Sequence, residues 1–228
     1  MIKHIFLDLD GTILDFLKAE ATALSRVLTE LGIKPTEEKI KLYSKINDSQ
    51  WKRLEKGEIS REQVLVGRFE IFFRELGESR DALQTRTLYE KYLSEGHFFI
   101  DGAEELLESL SKQYNLYLAS NGTKTVQDSR IKSAGIQKYF KDIFVSQDIG
   151  FNKPDKRYFD MAFKKIENFL PDEAVIIGDS LSSDILGGNN AKIKTVWFNP
   201  NGLENSLNVK IDAVAKKLSD IPDILKKI

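Results

Sequence analysis

The chain has 228 residues, 41% hydrophobic and 30% charged, enough for an α/β domain with a smaller companion under a well-solvated surface. Its 34 basic and 35 acidic residues nearly cancel, which removes the charge excess that a nucleic-acid partner needs. Without a cysteine there are no disulfides, no thiolate chemistry and no cysteine-bound metals, and no apolar run reaches the roughly 18 residues of a membrane span.

Residues 2–8 (IKHIFLD) form a short, nearly continuous apolar run, the pattern of a strand buried on both faces. The N-terminus passes directly into acidic residues and carries no signal-peptide pattern, so a cytoplasmic protein is expected. From Asp15 to Gly96 only helical periodicity appears, in four stretches that each end at or near a glycine, and Ser60 with Gln63 predicts a capping box. Beyond it, apolar runs at 116–120, 143–146, 175–178 and 195–198 alternate with helical patterns at 102–113, 124–133 and 156–166. A last short strand and helix are expected over 208–228.

Strand and helix in alternation predict an α/β fold with a doubly wound parallel sheet. An all-helical insertion after the first strand divides the chain into 1–14 with 97–228 as the core and 15–96 as a cap domain. That placement sets the cap over the C-terminal end of the sheet, where ligands of open α/β folds bind.

Four segments carry candidate chemistry, each at a predicted strand end. In Asp8-Leu9-Asp10-Gly11-Thr12 the two carboxylates share one face of an extended chain, and such neighbours repel unless a cation joins them. A hard ion such as magnesium suits them; one carboxylate can attack while the other handles protons. The competing reading is a turn followed by a helix cap. Ser120-Asn121-Gly122 offers a hydroxyl, an amide and backbone N–H groups at a helix start, either a phosphate cradle or an ordinary N-terminal turn. Lys153-Pro154-Asp155 reads as a helix start with proline at its first position, or as a lysine that neutralises phosphate charge. In Gly178-Asp179-Ser180-Leu181-Ser182-Ser183-Asp184, the two aspartates reach one cation or cap the next helix.

In this order the motifs resemble those of the haloacid dehalogenase superfamily of phosphohydrolases, over nearly the whole chain. The resemblance implies a Rossmann-like core with a helical cap of that superfamily's first type. It implies Asp8 as the nucleophile forming an aspartyl-phosphate, and Asp10 as the general acid and then base. Ser120, Asn121 and Lys153 would bind the phosphoryl group. Magnesium would be held by Asp8, the backbone carbonyl of Asp10 and Asp179, with Asp184 a ligand through water or one layer out. Asp15-Phe16, the run Asn47-Asp48-Ser49-Gln50-Trp51-Lys52-Arg53, Glu55-Lys56-Gly57 and Arg68-Phe69 are similar to the pyrimidine 5′-nucleotidases of that superfamily.

The implied activity is magnesium-dependent hydrolysis of a small phosphate monoester, a pyrimidine nucleoside monophosphate first, by a monomer or homodimer. A sugar-phosphate phosphatase and a phosphomutase share the pattern; a catalytically silent binding protein on the same fold would be expected to lose a nucleophile or metal ligand, and none is lost; a dehalogenase would not need a second acid at Asp10. Phe16 and Trp51 are the candidate cap contacts to substrate. Trp51, Phe69, Phe72, Phe73 and Tyr89 otherwise fit core packing, and His4 and His97 lack metal-ligand spacing.

Overall fold

Strand β1, His4–Leu7, is buried at every position, which a strand achieves only when layers cover both faces of its sheet. The computed structural model describes all residues from Met1 to Ile228. They form two compact units, Met1–Asp15 with Phe99–Ile228, and Phe16–Phe98.

The second unit is helical: α1 (Phe16–Glu30), α2 (Glu37–Glu55), α3 (Arg61–Leu76) and α4 (Ala82–Leu93). Local chemistry sets their ends. Thr36, Ser60 and Asp81 each accept a backbone N–H of the first turn that follows, and the Gln63 side chain returns the bond to Ser60 N at 2.8 Å, completing the expected capping box. Gly32, Gly57 and Gly77 take the left-handed conformation that stops a helix. Gly96 differs from the expected stop: α4 ends at Leu93, and a Cβ at Gly96 would lie 3.0 Å from that of Ala19, so this glycine serves close packing. Tyr43, Phe69, Phe72 and Tyr89 are fully buried and in ring contact at 5.2–5.4 Å between centroids.

In the first unit the chain continues through α5 (Ala103–Ser111), β2 (Asn115–Ser120), α6 (Lys124–Ser133), β3 (Asp142–Val145), α7 (Ser146–Ile149) and α8 (Lys156–Phe163). It ends with β4 (Ala174–Gly178), α9 (Leu186–Ala191), β5 (Lys194–Phe198), β6 (Ala213–Ala215) and α10 (Ile221–Leu225). The six strands are all parallel, in the order β3-β2-β1-β4-β5-β6, so the expected strand and helix at the C-terminus do cover a sheet edge.

Period-two alternation divides the core. Ile5, Leu7, Leu118, Val175 and Ile177 join α5, Ile131 of α6 and α10 on one face. Phe6, Tyr117, Ala119 and Ile176 join α8 and Ala191 of α9 on the other. Helices α5 and α6 therefore lie on the face opposite to α8 and α9. The chain reverses direction across the sheet between β1 and β4, the crevice where doubly wound folds bind ligands. Register brings the strand ends level there: Leu7 lies opposite Leu118 and Ile177, and Asp8 N donates to Ile177 O at 3.0 Å. No helix is long and apolar enough to cross a membrane.

Candidate active site

Asp8 leaves β1 at that crevice, 7% exposed. Lys153 is 1% exposed, and its ammonium spends all three N–H donors: on Asp8 Oδ1, Asp184 Oδ1 and Ala119 O, each at 2.6 Å. Burial alone would lower the lysine's pKa; the facing carboxylates of Asp184 and Asp8 overturn that and hold it well above its ordinary value, firmly charged.

What aims the lysine is Asn121. Its amide accepts from Lys153 N and donates to Lys153 O, both at 2.9 Å. The side chain expected to cradle phosphate thus clamps the lysine's backbone. Proline is also placed differently from the expectation. The Lys153-Pro154 peptide is cis, and α8 begins only at Lys156, capped by Asp155 through Arg157 N at 2.8 Å.

Asp179 and Asp184 arrive from the turn after β4. Two glycines make room. A Cβ at Gly11, whose φ of +84° favours glycine, would meet Asp179 Oδ2 at 2.4 Å; one at Gly178 would meet Asp184 Oδ2 at 2.2 Å. Trp197 Nε1 donates to Asp179 O at 2.8 Å and fixes that turn. Asp184 Oδ2 accepts from Ser180 N at 3.1 Å while Ser180 Oγ accepts from Ser183 N at 3.2 Å, so Asp184 caps the turn as well as facing Lys153.

Asp8, Asp179 and Asp184 each present a carboxylate oxygen, all within 4.8 Å of one another. Burial pushes the Asp8 carboxyl well above its ordinary range; Lys153 opposes this, and Asp184, Asp179 and Asp10 add to it in falling order. The expected repulsion between Asp8 and Asp10 is therefore the weakest of the three. Asp179 keeps solvent-accessible surface yet is ringed by protein, which together with the charge of Asp184 pushes it up to about 7. When all three are ionised, these carboxylates exceed the one ammonium by two negative charges. This all-oxygen set fits a hard divalent cation such as magnesium.

The Asp10 carboxylate turns away from that cluster toward α6. Its Oδ2 accepts from Gln127 Nε2 at 2.5 Å and its Oδ1 from Arg130 Nη1. Ser120 Oγ accepts from Gly122 N at 3.0 Å and from Gln127 Nε2 at 2.8 Å. Gln127 and Arg130 were not among the residues singled out from sequence. A signal was present: at helical spacing of three, both fall on the stripe of α6 that carries Ile131 to the core.

Phe16 and Trp51 belong to the helical unit, at the start of α1 and within α2, both half-buried. The Arg61 guanidinium lies 5.4 Å from the Trp51 ring centroid, so that face of the indole is already in use. His4 packs between Tyr117 and Phe169, its pKa lowered mainly by burial, as a structural histidine would be.

Residues 5–198 match the haloacid dehalogenase-like hydrolase model. The chain belongs to that family. This hydrolase is 38% identical over 223 residues to the HAD-hydrolase YfnB of Bacillus subtilis, covering 98% of this chain and 95% of that protein. A crystal structure of YfnB, described as bound to magnesium and revealing interdomain movement, superposes with a TM-score of 0.94 over 98% of both chains. Pyrimidine 5′-nucleotidase PynA of Streptococcus pneumoniae is 35% identical over 99% of this chain and 95% of its own. Pyrimidine 5′-nucleotidase YjjG of Escherichia coli is 27% identical over 98% and 97%.

Proposed function

We propose that this hydrolase is a magnesium-dependent phosphatase that cleaves pyrimidine nucleoside 5′-monophosphates through a phospho-aspartate on Asp8. The observation that carries the reading is the Asp8–Lys153 contact at 2.6 Å within a surplus of carboxylates at the sheet's switch point. A carboxylate whose charged form Lys153 favours against burial, in a site that still calls for positive charge, suits attack on a phosphoryl group. Two relatives named as pyrimidine 5′-nucleotidases, matched over almost their whole length, support the choice of substrate.

In this reading an Asp8 oxygen bonds to phosphorus as the ester P–O bond breaks, and Asp10 gives its proton to the departing alkoxide. Water then attacks the phosphorus of phospho-Asp8, Asp10 takes up its proton, and inorganic phosphate leaves with the Asp8 carboxylate restored. The Ser120 hydroxyl holds a phosphoryl oxygen, the Lys153 charge offsets that of the phosphoryl group, and Asn121 keeps the lysine in place. Magnesium, which Asp8, the Asp10 carbonyl and Asp179 would hold, would supply positive charge to stabilise the transferring group. Both Asp184 oxygens already accept hydrogen bonds, from Lys153 and Ser180, which suits a place one layer behind the ion.

Phosphate release from nucleoside monophosphates, sugar phosphates and phosphoglycolate, with magnesium and with chelator, tests the proposal. Magnesium-dependent preference for pyrimidine monophosphates is expected. Preference for sugar phosphates would reject the nucleotidase assignment and keep the phosphatase; no release from any ester would reject both.

A further inference from the structure

Two side chains of α6 lie buried where an apolar layer would be expected. Gln127 is 1% exposed and Arg130 0%, and Arg130 heads the fully buried side chains by volume. A guanidinium withdrawn this far from water is costly unless a carboxylate meets it, and the carboxylate that does so is Asp10. Arg130 Nη1 donates to Asp10 Oδ1 and also to Gln127 Oε1 at 3.0 Å. Gln127 Nε2 in turn reaches Asp10 Oδ2 at 2.5 Å and Ser120 Oγ at 2.8 Å. Room for that amide is built in: a Cβ at Gly122 would lie 2.3 Å from Gln127 Nε2.

From this network we infer that Gln127 and Arg130 are positioning residues for proton transfer by Asp10, with Gln127 linking that carboxyl group to the Ser120 hydroxyl. The inference rests on the phosphatase reading, in which Asp10 protonates the leaving oxygen and Ser120 seats the phosphoryl group. Asp10 stands on the turn after a strand, with its side chain one quarter exposed. Held at one oxygen, the group could rotate; held at both, its plane is set, and proton transfer in a transition state depends on such distances and orientations. Each oxygen keeps a further lone pair, so the hold leaves capacity to carry the proton. Because a single amide grips both Asp10 and Ser120, the acid and the phosphate seat cannot drift apart. A buried ion pair that served the fold alone would not need the bond to Ser120.

Leaving-group dependence of kcat/KM is the test, since that ratio covers steps only up to formation of phospho-Asp8. A nucleoside 5′-alkoxide needs a proton to depart; p-nitrophenolate does not. Gln127→Met keeps the volume and removes the amide. It should lower kcat/KM for a pyrimidine monophosphate about 10- to 100-fold and that for p-nitrophenyl phosphate no more than about 3-fold. Arg130→Lys, which keeps the charge and loses the planar fork, should shift the ratio in the same direction. Asp10→Asn is the reference and should show the largest contrast. Equal losses on both substrates in Gln127→Met, with the contrast intact in Asp10→Asn, would reduce α6 to a structural role and overturn the inference. A reference variant with no contrast would remove the acid assignment of Asp10, and the inference with it. Thermal unfolding of each variant separates these outcomes from simple loss of fold.

Discussion

Each unit of this hydrolase buries charge, and the two do so differently. In the helical unit Glu20, Asn47 and Arg68, at 1%, 2% and 3% exposure, form a chain: Asn47 Nδ2 donates to Glu20 Oε1 at 2.8 Å and Arg68 Nη1 to Asn47 Oδ1 at 2.9 Å. One negative and one positive charge cancel, and Arg68 also lies over the Tyr89 ring at 4.9 Å. In the α/β unit, Asp8, Asp179 and Asp184 face Lys153 alone. A balanced buried network fastens helices together; an unbalanced one is tolerable only where a ligand completes it. The site is legible from this imbalance before any relative is consulted.

The sharpest way to break the contrast is to remove charge from the unbalanced side. Asp8→Asn should abolish turnover, by at least about 10⁴-fold, while the thermal midpoint without magnesium holds or rises, because burial and the neighbouring carboxylates already oppose the Asp8 charge. A lower midpoint would show that the charge serves the fold. Next in size is the ion. Magnesium at a hundredfold excess over its Kd should stabilise the protein by about 2.7 kcal/mol, read as a rise in Tm, and Asp179→Asn should remove most of that rise. An unchanged response in the variant would take Asp179 out of the ion's coordination.

Removing the positive member of the balanced side should have the opposite effect on stability. Arg68→Met strands the Asn47 carbonyl and leaves Glu20 without its counter-charge, so urea unfolding should show a loss of about 2 kcal/mol. No measurable loss would mean that the chain contributes nothing to stability. The smallest effect concerns pH. Burial raises the Glu20 pKa against the hydrogen bonds of Ser44 and Asn47 and the charge of Arg68. A carboxyl raised in the folded state contributes its full stability below its unfolded value and loses it as pH rises through the folded one. Glu20→Gln should therefore stabilise the protein modestly at neutral pH, and the gain should fade as pH drops toward the ordinary glutamate value of 4.5. A gain that grew toward acid pH would reverse the sign.

Strands buried on both faces leave a plain mark, and the runs that hold Leu7, Leu118 and Ile177 reveal the sheet because each is apolar at nearly every position. Ser60 and Gln63 announce the start of α3 equally well, since a capping box is written in adjacent residues. The site is only partly legible. Asp8, Lys153, Asp179 and Asp184 stand out by residue type at strand ends. Asn121 does not reveal that its amide will be taken up by the Lys153 backbone, because that bond spans 32 residues. Gln127 and Arg130 share the inward stripe of α6 with Ile131, but their polar side chains mask that signal, and Gly96 mimics a helix stop because both roles call for the smallest residue.

Rapid quenching of the enzyme with a radiolabelled pyrimidine monophosphate, followed by peptide mapping, tests the role of Asp8 most directly. Label should appear on Asp8 within one turnover, accumulate in Asp10→Asn when labelled p-nitrophenyl phosphate, whose leaving group needs no proton, is the substrate, and be absent from Asp8→Asn. Turnover without protein-bound label at any time, or label on another residue, would contradict it.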